Sequence, residues 1–182
     1  LVLLALTLTS FSYSQKLKFN TDIESNTYLS NESDLPFWFY TTNFGRLDSS
    51  SNFNTLLGQG LTYSINENAN IKGYGSLLYQ NGFTDKVQID QAYVQFTNTW
   101  LKATAGAFHQ NIAYDNLSTT NGNFLWSGNT RAIPGIVLES NKSIKVFNDL
   151  GIDWSIGHYE LIDDRFVDGD NILLYQFTQG SY

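Results

Sequence analysis

The feature that most constrains this chain is an alternation of apolar residues with small or polar ones, repeated along most of its length. In the clearest case large apolar residues occupy every second position: Leu150, Ile152, Trp154 and Ile156. Residues 57–65, 89–98 and 101–107 alternate in the same way. Side chains alternate between the faces of a strand, so this period predicts half-buried β-strands. After Gln15 no segment keeps helical spacing for three turns, and we expect an all-β, antiparallel chain.

The connections between these strands alternate in length. Residues 66–70 (NENAN) and 98–100 (NTW) are rich in Asn and predict tight turns. A loop around Asn81 and Gly82 and a long polar stretch, residues 110–133, connect the other strand ends. Short turns at one end and longer loops at the other are typical of outer-membrane β-barrels.

Strand length and the placement of aromatic residues favour the same class. Runs of about ten residues suit a transmembrane β-strand, whereas strands in soluble proteins commonly have about five or six. Membrane interfaces favour Tyr and Trp, and aromatic residues lie near the predicted strand ends: Tyr63, Tyr79, Trp100, Phe108 and Tyr159. The sequence therefore predicts an antiparallel transmembrane β-barrel, with an exported soluble β-sandwich as the alternative.

Composition excludes several classes of function. The 182 residues contain no Cys, which rules out disulfides, thiolate nucleophiles and iron–sulfur clusters. The net charge is -7, with only 10 Lys and Arg, so the chain is not expected to bind nucleic acid.

The N-terminal segment indicates export. Residues 1–14 carry no charge, begin apolar and end with small residues, as a signal peptide shortened at its start does. A buried N-terminal strand is the alternative. Because the chain also lacks Met, we expect a fragment. The predicted plan is a signal-peptide remnant over 1–14, an N-terminal segment with a possible first strand and a plug or loop over 15–53, and barrel strands over 54–182, truncated at the C-terminus.

Three motifs together resemble the capsule assembly Wzi family in its Bacteroidota form. They are SDLPFWFYTTNFGRL at 33–47, GFTDKVQIDQAYVQF at 82–96, and LSTTNGNFLWSGNTRAIPGI at 117–136, with DDRFV at 163–167 further on. The resemblance implies an outer-membrane β-barrel of Gram-negative cells with N-terminal or lumen-filling elements. Such a barrel acts as a lectin-like anchor for exported capsular polysaccharide, and neither enzymatic activity nor a cofactor goes with the family. The expected partners are surface polysaccharide, outer-membrane lipid and lipopolysaccharide, and the expected state is a monomeric barrel.

Residues 110–133 hold the first set of candidate sugar contacts. Sugar binding uses amide and charged groups for hydroxyls and aromatic faces for stacking. The candidates of both kinds are Asp115, Asn116, Trp126, Asn129 and Arg131. The alternative is that the Asn residues only form turns and that Trp126 anchors the loop.

Asp163, Asp164 and Arg165 are a second candidate for sugar contact. A glycosidase-type pair of carboxylates is a weaker interpretation, because adjacent strand residues face opposite sides. A salt bridge or turn involving Arg165 is the structural alternative. His109 and His158 lack metal-ligand spacing, so no metal site is expected.

The run Pro36-Phe37-Trp38-Phe39-Tyr40 contains too many consecutive aromatic residues for one side of a single element. It predicts packing between a barrel wall and a plug or neighbouring strand, with an ordinary core strand as the alternative. For the whole chain, the alternatives to polysaccharide retention are an outer-membrane porin or transport channel and an exported soluble β-sandwich adhesin.

Overall fold

The computed structural model describes residues 16–29, 34–110, 128–147, 150–161 and 170–180, the last range by its backbone alone. The fold is all-β, as the alternation predicts. The strands are β1 (Leu17–Thr27), β2 (Phe53–Asn66), β3 (Ala69–Gln80), β4 (Val87–Thr97), β5 (Leu101–Phe108), β6 (Ile133–Ser140), β7 (Ile144–Phe147), β8 (Leu150–Leu161) and β9 (Asp170–Gly180). A single short helix, α1 (Phe37–Tyr40), is found in the described ranges, where no helix is long and apolar enough to cross a membrane.

The nine strands form one antiparallel sheet in which most strands pair with their neighbours in sequence. β6 and β7 lie end to end along one edge of β8, and β9 runs along the other edge. Within the described residues β1 pairs with β2 alone, so the sheet is open there. The strands predicted around 57–65, 89–98, 101–107 and 149–159 are all confirmed.

The two ends of the sheet differ as the connection lengths predict. At one end, here called the turn end, Glu67 and Asn68 join β2 to β3, and residues 98–100 join β4 to β5. The Asn98 side chain accepts hydrogen bonds from the backbone N–H groups of Trp100 and Leu101, at 3.0 and 2.8 Å. At the other end, the loop end, the connections span residues 28–52, 81–86, 109–132 and 162–169.

In a soluble protein the apolar face of a sheet is usually buried and the polar face is exposed. In this sheet the apolar face is exposed and the polar face is largely buried. One face, here called the apolar face, leaves large side chains open: Leu57, Leu77, Ile89, Val94 and Ile136 are each about half exposed or more. The other, the polar face, buries polar groups, including Ser76, Gln80, Asp90 and Thr104. Its small apolar cluster consists of Phe108, Ile133, Val137 and Tyr159, with Tyr93 packed against it.

A row of Gly and Tyr residues crosses the middle of the polar face. Cross-strand partners follow one another in the order Gly60, Tyr74, Tyr93, Gly106, Gly135 and Tyr159. Each glycine leaves room for a ring or a backbone, since a Cβ on Gly135 would lie 2.5 Å from the Tyr159 ring and one on Gly106 would lie 2.2 Å from a carbonyl oxygen. The row therefore packs large rings across a face that carries few apolar side chains.

Candidate functional site

The described residues 34–52 of the connection between β1 and β2 fold onto the polar face at the loop end. We call this segment the inward loop. Leu35 and Leu47 are buried within it, and Ser51 is completely buried. The Ser51 hydroxyl donates to the Gln80 side chain at 2.5 Å, which ties the end of the loop to β3. The first of the three motifs thus covers part of the sheet.

Asp90 is the polar-face residue to which this loop is attached. Ser76 pairs with Gln91 but Leu77 pairs with Ile89, so Asp90 is an extra residue, a β-bulge. The Ser76 hydroxyl fills the interrupted ladder by accepting from the Gln91 backbone N–H at 3.1 Å and donating to Asp90 Oδ2 at 3.2 Å. The bulge places the Asp90 carboxylate on the buried side, where its side chain is 3% exposed.

Arg46 of the inward loop binds this carboxylate through both oxygens. Its Nε donates to Oδ1 at 2.9 Å and its Nη2 to Oδ2 at 2.8 Å. A two-point contact between guanidinium and carboxylate fixes both direction and distance. Burial opposes the charge on Arg46, but the hydrogen bond to Asp90 and the charge of that carboxylate raise the pKa of the guanidinium above its ordinary value.

His109, just after β5, completes the group, which we call the latch: Arg46, Asp90, His109 and Ser76. The His109 ring Nε2 lies 3.1 Å from Asp90 Oδ1, and its backbone N–H donates to the Gln91 side chain at 3.0 Å. The ring also packs on Phe44 of the inward loop, with centroids 4.4 Å apart. Four segments, the inward loop, β3, β4 and the end of β5, therefore meet at one carboxylate.

The latch contains the residue types of a hydrolytic triad but not its order. In a triad the histidine bridges the serine and the aspartate, so that it can take the serine proton. Here Ser76 and His109 both contact Asp90, and Arg46 occupies both oxygens of the same carboxylate. This arrangement fits a clamp that holds the inward loop, and it supplies no activated nucleophile.

A second attachment joins the inward loop to residues 128–131, within the third motif. The Phe44 backbone N–H donates to the Gly128 carbonyl at 2.5 Å, and the Asn129 side-chain oxygen accepts from the Thr42 backbone N–H. The Arg131 Nη2 donates to the Ile89 carbonyl at 3.4 Å. The aliphatic part of the Arg131 side chain lies against Gly45. The φ angle of Gly45 is +65°, and a Cβ added there would lie 2.8 Å from Arg131 Cγ.

These contacts locate two of the predicted sugar-binding residues. Asn129 and Arg131 both contact the inward loop or β4, although each remains exposed. The other candidates lie outside the described residues, and so does the predicted signal-peptide remnant: Asp115, Asn116, Trp126, Asp163, Asp164, Arg165 and residues 1–14.

The aromatic run differs from both of its interpretations. Residues 37–40 form α1, and none of them is buried; Phe37 and Trp38 are 63% and 64% exposed. The rings of Phe39 and Tyr28 meet edge to face, with centroids 6.0 Å apart. The prediction of packing between two layers and the alternative of a core strand are therefore both wrong. A single helical turn after Pro36 points successive rings in different directions, so no one face must cover them all.

The sequence contained a signal for the latch that the alternation alone does not use. Asp90 and Gln91 are two consecutive polar residues inside a regular alternation, which is the pattern that a bulge produces. Arg46 has no comparable signal, because a lone cation in a loop does not indicate its partner. In the described part of the chain no three His, Asp or Glu side chains are grouped so as to hold a metal ion.

Comparisons of the chain with protein-family models, with curated proteins and with solved structures find no match.

Proposed function

We propose that this chain forms the wall of an outer-membrane β-barrel that retains an exported surface polysaccharide. The location in a membrane is supported by one observation: large side chains on the apolar face are exposed, whereas polar side chains on the polar face are buried. Val94 and Ile136 are 56% and 61% exposed on the apolar face, whereas Asp90 and Thr104 are buried on the polar face. Exposed apolar surface costs roughly 25 cal/mol per Å² in water, and no such cost arises against lipid.

Strand lengths and connections support this proposal. β2, β3 and β4 have 14, 12 and 11 residues, and a tilted strand needs about 9 to 11 to cross a bilayer. Short connections at the turn end and long ones at the loop end match the periplasmic and external sides of such barrels. The polar face then lines the lumen, and the inward loop narrows it from the external side.

The polysaccharide part of the proposal comes from the resemblance to the Wzi family. The first motif forms most of the inward loop and the third contains residues 128–131, and these two segments contact one another at the loop end. A loop clamped inside the mouth of a barrel suits retention of a polymer better than free diffusion of solutes. On this proposal the protein is a monomeric, non-enzymatic anchor in the outer membrane.

A porin is the second candidate, and the charges on the polar face bear on it. An ion-selective pore carries rings of one sign. The described part of this face mixes signs instead, with Lys102 paired to Glu139 at 2.6 Å and Arg46 paired to Asp90. A soluble sandwich needs a second sheet over the apolar face, and the described strands all belong to one sheet.

The test compares cells with and without the protein for cell-bound and released polysaccharide. We expect loss of the protein to move polysaccharide into the medium while the total stays level, and the protein itself to fractionate with outer membrane. Unchanged retention together with altered uptake of small solutes would replace the anchor by a porin. Recovery of the protein as a soluble periplasmic species would contradict the barrel.

A further inference from the structure

The polar face carries, one row from the Gly and Tyr row toward the turn end, a lysine held over two aromatic rings. Lys72 Nζ lies 5.5 Å from the ring centroid of Tyr74 and 5.6 Å from that of Tyr93. The two rings are 5.6 Å apart and tilted by 35°. Cation–π contacts of this kind hold an ammonium group in place without neutralising its charge.

Further polar side chains extend from Lys72 in the same row. Cross-strand partners run in the order Lys18, Thr62, Lys72 and Gln95 over β1 to β4. Neighbouring strands lie about 4.8 Å apart, so the row is roughly 14 Å long. Lys18 is exposed and the other three residues are half-buried. The row is therefore accessible from the space in front of the polar face.

The charges of this row are not matched by carboxylates. In the described part of the chain neither Lys72 nor Lys18 forms an ion pair, whereas Lys102 on the same face is paired with Glu139. Asp22, the acidic residue two rows further toward the loop end, is hydrogen-bonded by the Asn20 amide at 2.9 Å and by the Tyr74 hydroxyl. Among the described residues, therefore, Lys72 lies over two aromatic rings and Lys18 lies two strands away in the same row, and neither is paired with a carboxylate.

We propose that this row binds acidic sugar units, with Lys72 and Lys18 pairing with carboxylates on successive positions of a glycan. Gln95 and Thr62 supply hydrogen bonds to hydroxyl groups, and the tyrosine rings contribute an apolar surface for the ring of a sugar. This inference rests on the proposed function and names the chemical class of the polysaccharide. It places a binding surface on the polar face, which lines the lumen in the proposed barrel, in addition to the contacts predicted in residues 110–133.

The test measures binding of two probes to the full protein folded in detergent micelles, by isothermal titration calorimetry. The probes are an oligogalacturonide and a neutral maltooligosaccharide of equal length. We expect the acidic probe to bind at least tenfold more tightly, and Lys72→Gln to weaken its binding by about tenfold, since a hydrogen bond to a charged group is of that strength. Binding of the neutral probe should change by less than twofold.

Two variants control for charge and for folding. Lys102→Gln removes a cation from the same face, but one that is already paired, and we expect less than a twofold effect on the acidic probe. Lys72→Arg keeps the charge and should retain binding to within about threefold. Equal binding of the two probes, equal effects of the two Gln variants, or no binding of either probe would overturn the acidic-glycan site. The cellular retention test decides the proposed function separately, because it uses the natural polysaccharide whatever its sugars are.

Discussion

Tyr93 and Val94 are neighbours in β4, yet they meet opposite surroundings. Tyr93 lies between the rings of Tyr74 and Phe108 on the polar face, whereas Val94 is 56% exposed on the apolar face. The same contrast recurs along the sheet: Ser76, Asp90 and Thr104 are buried on the polar face, whereas Leu57, Ile89 and Ile136 are about half exposed or more on the apolar face. This difference is the observation on which the proposal of a lipid-facing apolar surface rests.

The largest expected effect comes from breaking the latch. Asp90→Ala leaves Arg46 without its carboxylate in a site where its side chain is only 16% exposed. Removing one partner of a buried pair typically costs about 3 to 5 kcal/mol. We expect a loss of this size in equilibrium unfolding by urea from lipid vesicles, and faster tryptic cleavage after Arg46 as the inward loop detaches.

The control for this variant is the double replacement Asp90→Ala with Arg46→Met, which removes both charges. It should recover a large part of the lost stability, because no uncompensated charge remains. Equal losses in the single and double variants would mean that the pair does not hold the loop.

A second pair of variants tests the two faces at adjacent positions. Val94→Arg places a charge on the apolar face and should destabilise the protein in vesicles by about 2 to 4 kcal/mol if the site lies near the bilayer centre. Gln95→Arg places the same charge one residue further along, on the polar face, and should cost much less. Unfolding of both variants in the same vesicles checks this, and similar losses would contradict a lipid-facing surface.

Glycines on the two faces give a third, smaller contrast. A Cβ at Gly135 would lie 2.5 Å from the Tyr159 ring and 2.6 Å from the His158 carbonyl, while one at Gly73 meets nothing within 4 Å. We expect Gly135→Ala to cost about 1 to 3 kcal/mol through overpacking. Gly73→Ala should be neutral or stabilising by up to about 1 kcal/mol, since Gly weakens strand interiors. A comparison of urea midpoints measures both, and a tolerated Gly135→Ala would argue against the tight row.

The smallest effect is expected at the pair of Lys102 and Glu139. Their side chains are 31% and 25% exposed, so solvent screens much of their attraction despite the 2.6 Å distance. Lys102→Ala should therefore change the free energy of unfolding by less than about 1 kcal/mol. The change should shrink further as salt is added. A loss that exceeds 2 kcal/mol and persists at high salt would show that the pair is as critical as the latch.

The strands and their ends could be predicted because they depend on local sequence. The alternation around Trp154 and the Asn-rich turn at Asn98 each need only a few neighbouring residues, and both are found where predicted. The latch could not be predicted in this way. Arg46 and Asp90 are 44 residues apart, and their contact depends on how the inward loop folds, which the alternation of the strands does not specify.

The prediction for the aromatic run at residues 36–40 failed for a related reason. Treating Phe37, Trp38 and Phe39 as part of a strand or a packed layer assumed regular alternation, whereas Pro36 starts a single helical turn. The sugar contacts predicted at Asn129 and Arg131 stay predictions; in the structure the described partners of both side chains belong to this chain. Residue type identifies hydrogen-bonding capacity, not the partner that uses it.

The bulge at Asp90 has a consequence for how this sequence can vary over time. Asp90 is the additional residue of the bulge, so Asp90 and Gln91 both lie opposite Ser76 and two consecutive polar residues share the polar face. Deleting Asp90 would place Gln91 directly after Ile89, opposite Ser76, and the ladder would become regular with Tyr93 and Val94 still on their present faces. A one-residue deletion elsewhere in β4 would move the later residues to the other face unless a new bulge absorbed it. Relatives of this protein can therefore lose the bulge, and with it the carboxylate that binds Arg46, without reversing the strand.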